Sequence, residues 1–143
     1  MLNLSIKILN NKPKVVNNIP CVLGEITINN FKERFNIPLE YWNLKDYKQQ
    51  WAEGLQRIRN YNRSCLVTCV QDPEKAPLIN MWGLYKRSKQ VFIYNFMFCG
   101  STYKEYIGDK LFTPETCYNF IPRKPTNPKA SVWVINLDDE SLS

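Results

Sequence analysis

The side chains that most often carry catalysis or hold metals are missing from this sequence or badly spaced in it. There is no histidine, which excludes a histidine base beside a serine or cysteine nucleophile and a histidine-ligated metal. The five cysteines, Cys21, Cys65, Cys69, Cys99 and Cys117, match neither a metal pattern nor a disulfide framework. Cys65 and Cys69 sit in an apolar run, the setting of small buried hydrophobes, and reduced thiols suit a cytosolic compartment. No GxG or longer glycine-rich phosphate loop occurs, and no pair of carboxylates stands out for acid–base work. No catalytic residue, metal ligand or cofactor is therefore nominated.

What remains is binding chemistry. Lys86, Arg87 and Lys89 crowd one short stretch, residues 86–90. Residues 100–111, GSTYKEYIGDKL, set Tyr103 and Tyr106 among Lys104, Glu105, Asp109 and Lys110, the amphipathic composition of an interface. The candidate partner-binding residues are thus Lys86, Arg87, Lys89, Tyr103, Lys104, Tyr106, Asp109 and Lys110. Tyr103, Tyr106 and Arg87 are the expected anchors, because aromatic and arginine side chains dominate interface energetics. The net charge of +6 attracts anionic partners: nucleic acid, a membrane surface or an acidic protein. A basic nucleic-acid-binding module is one reading, since Trp82, Phe92, Tyr94, Phe96 and Phe98 could stack on bases. Those aromatics follow strand spacing, which favours the core, and no ribonucleoprotein, helix-turn-helix or zinc pattern accompanies them.

The elements that must position these residues follow from periodicity. The organising stretch is residues 31–55. Asn43 has the side chain of a helix N-cap, and Asp46 three positions on completes a weak capping box. Leu44, Tyr47, Trp51, Leu55 and Ile58 then recur as one helical face, with Lys45, Lys48, Gln49, Gln56 and Arg57 on the others. Pro38 prevents an earlier start, and Phe31, Phe35, Leu39, Tyr41 and Trp42 form an aromatic lead-in. Trp51 and Leu55 are expected to be structural, each costing about 2–5 kcal/mol on truncation to alanine. Strands are expected at residues 4–9, 22–28, 65–70, 78–85, 91–98 and 132–137. Gly24 is a possible bulge, residues 65–70 should be covered on both faces, and residues 86–90 link the clearest hairpin. Residues 10–18 read as a polar, solvated loop, residues 71–74 as a turn with Pro73 fixing φ, and residues 100–111 as an irregular connection. Thr113 and Pro114 open a short helix; Pro122, Pro125 and Pro128 mark a loop; Asp138, Asp139 and Glu140 make an acidic end.

Strands joined by short turns, with one main amphipathic helix, argue for an α+β fold: an antiparallel sheet with helices packed on it. The 143 residues suffice for a single domain, residues 1–143, with its own core. Hydrophobic content of 44% and charged content of 22% are ordinary for a globular protein. No apolar run reaches the ~18 residues that span a bilayer. The opening MLNLSIKILNNKPK has too short an apolar run for a signal peptide and no small-residue cleavage site. A cytoplasmic protein with no membrane partner is expected.

The string ITINNFKERFNIPLEYWNLKDYKQQWAEGL also resembles the opening signature of an immunity-protein family from bacterial contact-dependent growth inhibition (CDI) systems. The residues that carry it are Ile26, Ile28, Asn30 and Phe31, then Pro38, Leu39, Tyr41 and Trp42, then Lys45, Asp46 and Tyr47, then Trp51 and Leu55. The likeness continues through DPEKAPLINMWGLY and VFIYNFMF to Ser131 and Trp133, spanning residues 24–137. It implies a strongly curved, sandwich-like antiparallel sheet with helical additions. It implies stoichiometric occlusion of a cognate CDI toxin C-terminal domain, often a nuclease, in a protein–protein heterodimer with no catalytic residues. The basic charge departs from the acidic, substrate-mimicking habit of nuclease inhibitors, although Glu33, Glu40, Asp138, Asp139 and Glu140 could supply a local acidic patch. Residues 100–111 look longer than the family's equivalent, and such chain-specific loops are where recognition concentrates.

Overall fold

The computed structural model describes residues 3–72, 77–123 and 131–137. Pro73 and Glu74 of the expected turn at residues 71–74, Pro125 and Pro128 of the expected loop, and the acidic end at Asp138, Asp139 and Glu140 lie outside these residues, while Gln71 N donates to Leu78 O at 2.9 Å. Among the described residues, two antiparallel sheets and two α-helices make up an α+β fold. The first sheet is a three-stranded meander of β1 (Leu4–Val16), β2 (Ile19–Ile28) and β3 (Phe31–Pro38). The second has four strands in the order β4 (Arg63–Val70), β5 (Leu78–Arg87), β6 (Gln90–Cys99), β7 (Trp133–Asn136). Helix α1 (Leu44–Asn60) connects the sheets, and α2 (Gly100–Tyr106) follows β6 directly. One cluster of buried side chains runs from Leu4 to Leu137 and draws on both sheets and both helices.

Two strand assignments correct the reading from sequence. Residues 10–18 are not a solvated loop: β1 continues to Val16, and the chain reverses at Asn17 and Asn18, both with positive φ. Two left-handed residues suit the right-handed twist of a hairpin, and asparagine tolerates them. The segment looks loop-like because β1 is a sheet edge whose far half is exposed, with Lys12, Pro13 and Lys14 on it; such charges and prolines discourage edge-to-edge pairing. Residues 31–38 form β3, in which Phe31, Glu33, Phe35 and Ile37 share one face and Lys32, Arg34 and Asn36 the other. The irregularities lie in β1, after Ile8 and after Asn10, and Gly24 remains paired with both neighbours. Its missing side chain lets Phe35 and Ile37 close over the sheet.

The N-terminal capping box of α1 is present in both directions: Asp46 N donates to Asn43 Oδ1 at 2.8 Å, and Asn43 N to Asp46 Oδ2 at 3.0 Å. Tyr47, Trp51 and Ile58 are buried as the stripe requires, while Leu44 and Leu55 are only half-buried. The helix does not lie flat on a sheet face. It runs along the edge of β4 and satisfies backbone groups that β4 would otherwise leave unpaired. Gln50 accepts from Val67 N at 2.7 Å and donates to Cys65 O at 2.8 Å. Trp51 Nε1 donates to Val67 O at 2.6 Å, and the Tyr47 hydroxyl accepts from Val70 N at 3.0 Å. The same hydroxyl donates to Pro38 O at 2.9 Å, which ties the end of β3 to the assembly. A buried edge must be paired or capped because an orphaned buried peptide group costs about 1–3 kcal/mol. Gln50, fully buried among apolar residues, is therefore essential to this packing, although its polar type gave no sign of it.

Residues 65–70 are covered on both faces as expected, with the exception of the half-buried Cys69. The β5–β6 link is tighter than the expected five residues. Arg87 and Gln90 are paired, leaving only Ser88 and Lys89 in the turn, and Ser88 takes the positive φ that glycine usually supplies. Residues 100–111 are not irregular throughout, because α2 occupies the first half. Thr113 accepts from Thr116 N at 3.1 Å and opens a turn into a short 3-10 helix, Cys117–Phe120.

Burial raises the proton affinity of several acidic groups in this core. It holds the phenols of Tyr47, Tyr85 and Tyr118 and the Cys65 thiol above their usual range, and pushes the Cys69 thiol up from 9.0 to about 12. The folded chain thus keeps protons that the unfolded chain releases first. This contribution is complete below the unfolded thiol's value and is lost as pH climbs from there toward the folded values. Urea midpoints should be lower at about pH 10.5 than at about pH 8; equal midpoints would contradict the burial of these groups.

Candidate functional site

The strand register divides the candidate binding residues into two groups. Lys86, Arg87 and Lys89 meet at the β5–β6 turn. Tyr103, Lys104, Tyr106, Asp109 and Lys110 lie beyond the other end of β6. A strand rises about 3.3 Å per residue, so the length of β6 sets the groups roughly 30 Å apart. They are two patches rather than one.

In the far group, Tyr103 is only 7% exposed and sits in the core cluster, where desolvation raises its phenol pKa. It is not available as the exposed anchor expected from sequence. Tyr106 is half-buried with its ring 5.1 Å from that of Phe98. Lys104, Asp109 and Lys110 are exposed. The 3.6-residue period explains the outcome: Tyr103, Tyr106 and Ile107 form the inward face of the α2 segment, which leaves the charges outside.

The near group borders a cleft. Arg87 and Lys89 project from the turn into solvent. Lys86 is half-buried, and its ammonium donates to Arg59 O at 2.9 Å, close to the C-terminus of α1, where the helix dipole favours a cation. Lys86 therefore orders the turn as well as charging it. Behind the turn is a cleft of about 290 Å³. Its aromatic walls are Tyr85, Phe92 and Tyr94, and its cations are Arg63, Lys86, Arg87 and Arg123. Register explains the walls, because Tyr85 pairs with Arg63 on one side and Phe92 on the other. The Tyr85 hydroxyl donates to Pro122 O at 2.6 Å, anchoring the chain next to Arg123. Tyr85 meets Tyr94 edge-on at 5.7 Å, and the Arg87 guanidinium lies over Phe92 at 5.9 Å. A neighbouring hollow of about 310 Å³ shares Asn62 and Arg63 with the cleft. There the Arg57 guanidinium is held between the rings of Tyr118, at 4.0 Å, and Tyr61, at 4.6 Å.

Among the described residues, neither hollow is lined by an aspartate or a glutamate. Sequence reasoning found the turn but missed Arg63, Arg123 and Arg57. Nothing local connects Arg63, at the start of β4, with Arg123, beyond the 3-10 helix. Of the aromatics considered for base stacking, Trp82 and Phe98 are buried, whereas Phe92, Tyr94 and Phe96 are half-buried. Among the described residues no group of His, Cys, Asp and Glu could hold a metal ion, and no helix is long and apolar enough to cross a membrane.

The family model for the CdiI N-terminal domain matches residues 37–139, from the end of β3 past β7. The chain is 32% identical to the immunity protein CdiI of Enterobacter cloacae subsp. cloacae over 120 residues, covering 80% of this chain and 79% of that one. The chain belongs to the CdiI family of immunity proteins. A chain of the solved CdiA-CT/CdiI toxin and immunity complex from Enterobacter cloacae superposes with a TM-score of 0.74 at 26% identity, covering 94% of this chain and 90% of that chain. The capped helix and the Trp51 stripe that carried the family resemblance are thus fold-determining residues, since they seal the β4 edge. Of the acidic residues weighed as a substrate-mimicking patch for this CdiI-family chain, Glu33 is half-buried on β3 and Glu40 is exposed before α1.

Proposed function

We propose that this chain binds the C-terminal toxin domain of a CDI exoprotein and neutralises it by stoichiometric occlusion in the cytoplasm, as a single domain without turnover of its own. The toxin is read as a nuclease, following the family resemblance. The observation that carries the proposal is the likeness, over nearly the whole chain, to a chain of a toxin and immunity complex. The cation-rich turn at Arg87 and Lys89, with its aromatic cleft, supports this end of β6 as the contact face. The charged outer surface of Lys104, Asp109 and Lys110 would then lie at the rim or outside it.

The test is titration of the cognate CDI toxin domain with this chain. Toxin activity should fall in direct proportion to the chain added and vanish near equivalence, with a one-to-one complex by light scattering. Inhibition by far less than an equivalent would indicate turnover, and full toxin activity at excess would refute the reading. In the complex, Arg87→Glu should weaken binding more than Lys104→Glu, because Arg87 sits on the near patch.

A further inference from the structure

We propose that the cleft behind the β5–β6 turn is a carboxylate receptor: it takes an aspartate or glutamate side chain from an acidic loop of the toxin domain. This assignment rests on the toxin-binding reading and adds the chemistry of recognition to it.

The cleft concentrates positive charge. Arg63, Arg87 and Arg123 line one space of about 290 Å³, and among the described residues no acidic side chain lines it. The ammonium of Lys86 gives one of its three N–H groups to the Arg59 carbonyl and adds charge at the edge of the cleft, while the guanidinium groups supply the planar donors. Guanidinium is the better group for a carboxylate, because its planar fork binds it through two parallel hydrogen bonds. The aromatic walls lower the local dielectric, and charge pairs strengthen as water is excluded. The Tyr85 hydroxyl donates to Pro122 O, so its proton is already engaged.

The adjacent hollow extends the same chemistry. Arg57 is clamped between Tyr61 and Tyr118, and its Nε is buried with no hydrogen-bond partner. A preorganised cation of this kind loses little side-chain entropy on binding. Glu53 lies 3.9 Å from its guanidinium and offsets part of the charge. The first cleft is therefore the principal site, and the hollow receives a flanking acidic residue.

Ring geometry favours a protein carboxylate over a nucleic acid. Stacking needs open ring faces; the edge-on contact of Tyr85 with Tyr94 at 81° occupies one of them, and the Arg87 guanidinium lies on the Phe92 ring at 5.9 Å. The aromatics act as walls, and the size of the space suits a side chain rather than a strand of nucleotides.

The experiment measures affinity for the toxin domain by titration calorimetry with the double variant Arg63→Glu/Arg123→Glu. A charge-matched control, Lys7→Glu/Lys32→Glu, alters exposed positions on the other sheet. The cleft variant should bind at least about 30-fold more weakly and with a flatter salt dependence, while the control stays within about threefold. A lysine at the matching toxin carboxylate should restore affinity to the cleft variant. If the double variant loses its folded signal, Arg87→Glu on the exposed turn is measured instead, with at least about a tenfold loss expected. Equal binding by the cleft variant and the control would overturn the assignment while leaving toxin binding intact. No complex with the unaltered chain would overturn the toxin-binding reading itself. A thymidine dodecamer that binds the unaltered chain but not the cleft variant, with toxin affinity unchanged, would make the cleft a nucleic-acid site and refute the proposal.

Discussion

Trp51→Ala is expected to lower the unfolding free energy by about 3–5 kcal/mol, the cost of removing a large buried aromatic side chain. Two losses combine. The indole is 4% exposed and packs against Tyr47 and Phe35, each with ring centroids 6.3 Å away, so truncation opens a cavity beneath α1. Its Nε1 also satisfies Val67 O on the strand edge, and alanine leaves that carbonyl orphaned. Trp51→Phe separates the two: it keeps much of the volume but loses the donor, and should cost about 1–3 kcal/mol. Leu55→Ala is the internal contrast. Leu55 lies on the same helical stripe, yet it is half-buried at the rim of a shallow groove beside Ile6 and Ile8. Its truncation should cost about 1–2 kcal/mol, at or below the low end of the range its position on the stripe suggested. Urea midpoints at constant m-value read all three. A Trp51→Ala midpoint equal to that of the unaltered chain would mean that the helix does not seal the β4 edge.

Gly54→Ala is expected to destabilise by about 2–3 kcal/mol, against the ordinary rule for helices. In an exposed helix interior the same change stabilises by about 1 kcal/mol, because alanine is the better helix former. Here a Cβ would collide with the Cys65 carbonyl oxygen and press on Gln50 Nε2 and Leu66 Cδ2, each 3.1 Å away. The carbonyl belongs to a paired strand and cannot move aside, so α1 must lift. Lifting stretches the bonds from Gln50 and Trp51 to β4, and also that from Ser64 Oγ to Gly54 O, now 2.7 Å. Gly100→Ala serves as control. Its φ of +55 carries a backbone cost of about 1–2 kcal/mol, but nothing lies within 4 Å of the added methyl. If Gly54→Ala proved stabilising, the close approach of helix to strand edge would be wrong.

What the sequence determined by itself is whatever neighbours along the chain encode. The capping box at Asn43 and Asp46, the stripe of Tyr47, Trp51 and Ile58, and the β5–β6 hairpin are local patterns, and each is present, the hairpin with a tighter turn than its link suggested. The ordered signature from Ile26 to Leu55 was enough for the family resemblance. The tertiary structure alone decided which polar residues work inside and which aromatics remain available. Gln50 is buried because the β4 edge needs a donor and an acceptor there, a demand made by a strand that follows it in the chain. Tyr103 is lost as an anchor because α2 turns that face onto β6. The length of β6 separates the two candidate patches, and no composition of residues 100–111 could reveal that distance. The cleft is the clearest case. Arg63, Arg87 and Arg123 are far apart in sequence and share one space because strand register and the Tyr85–Pro122 bond bring their backbones together.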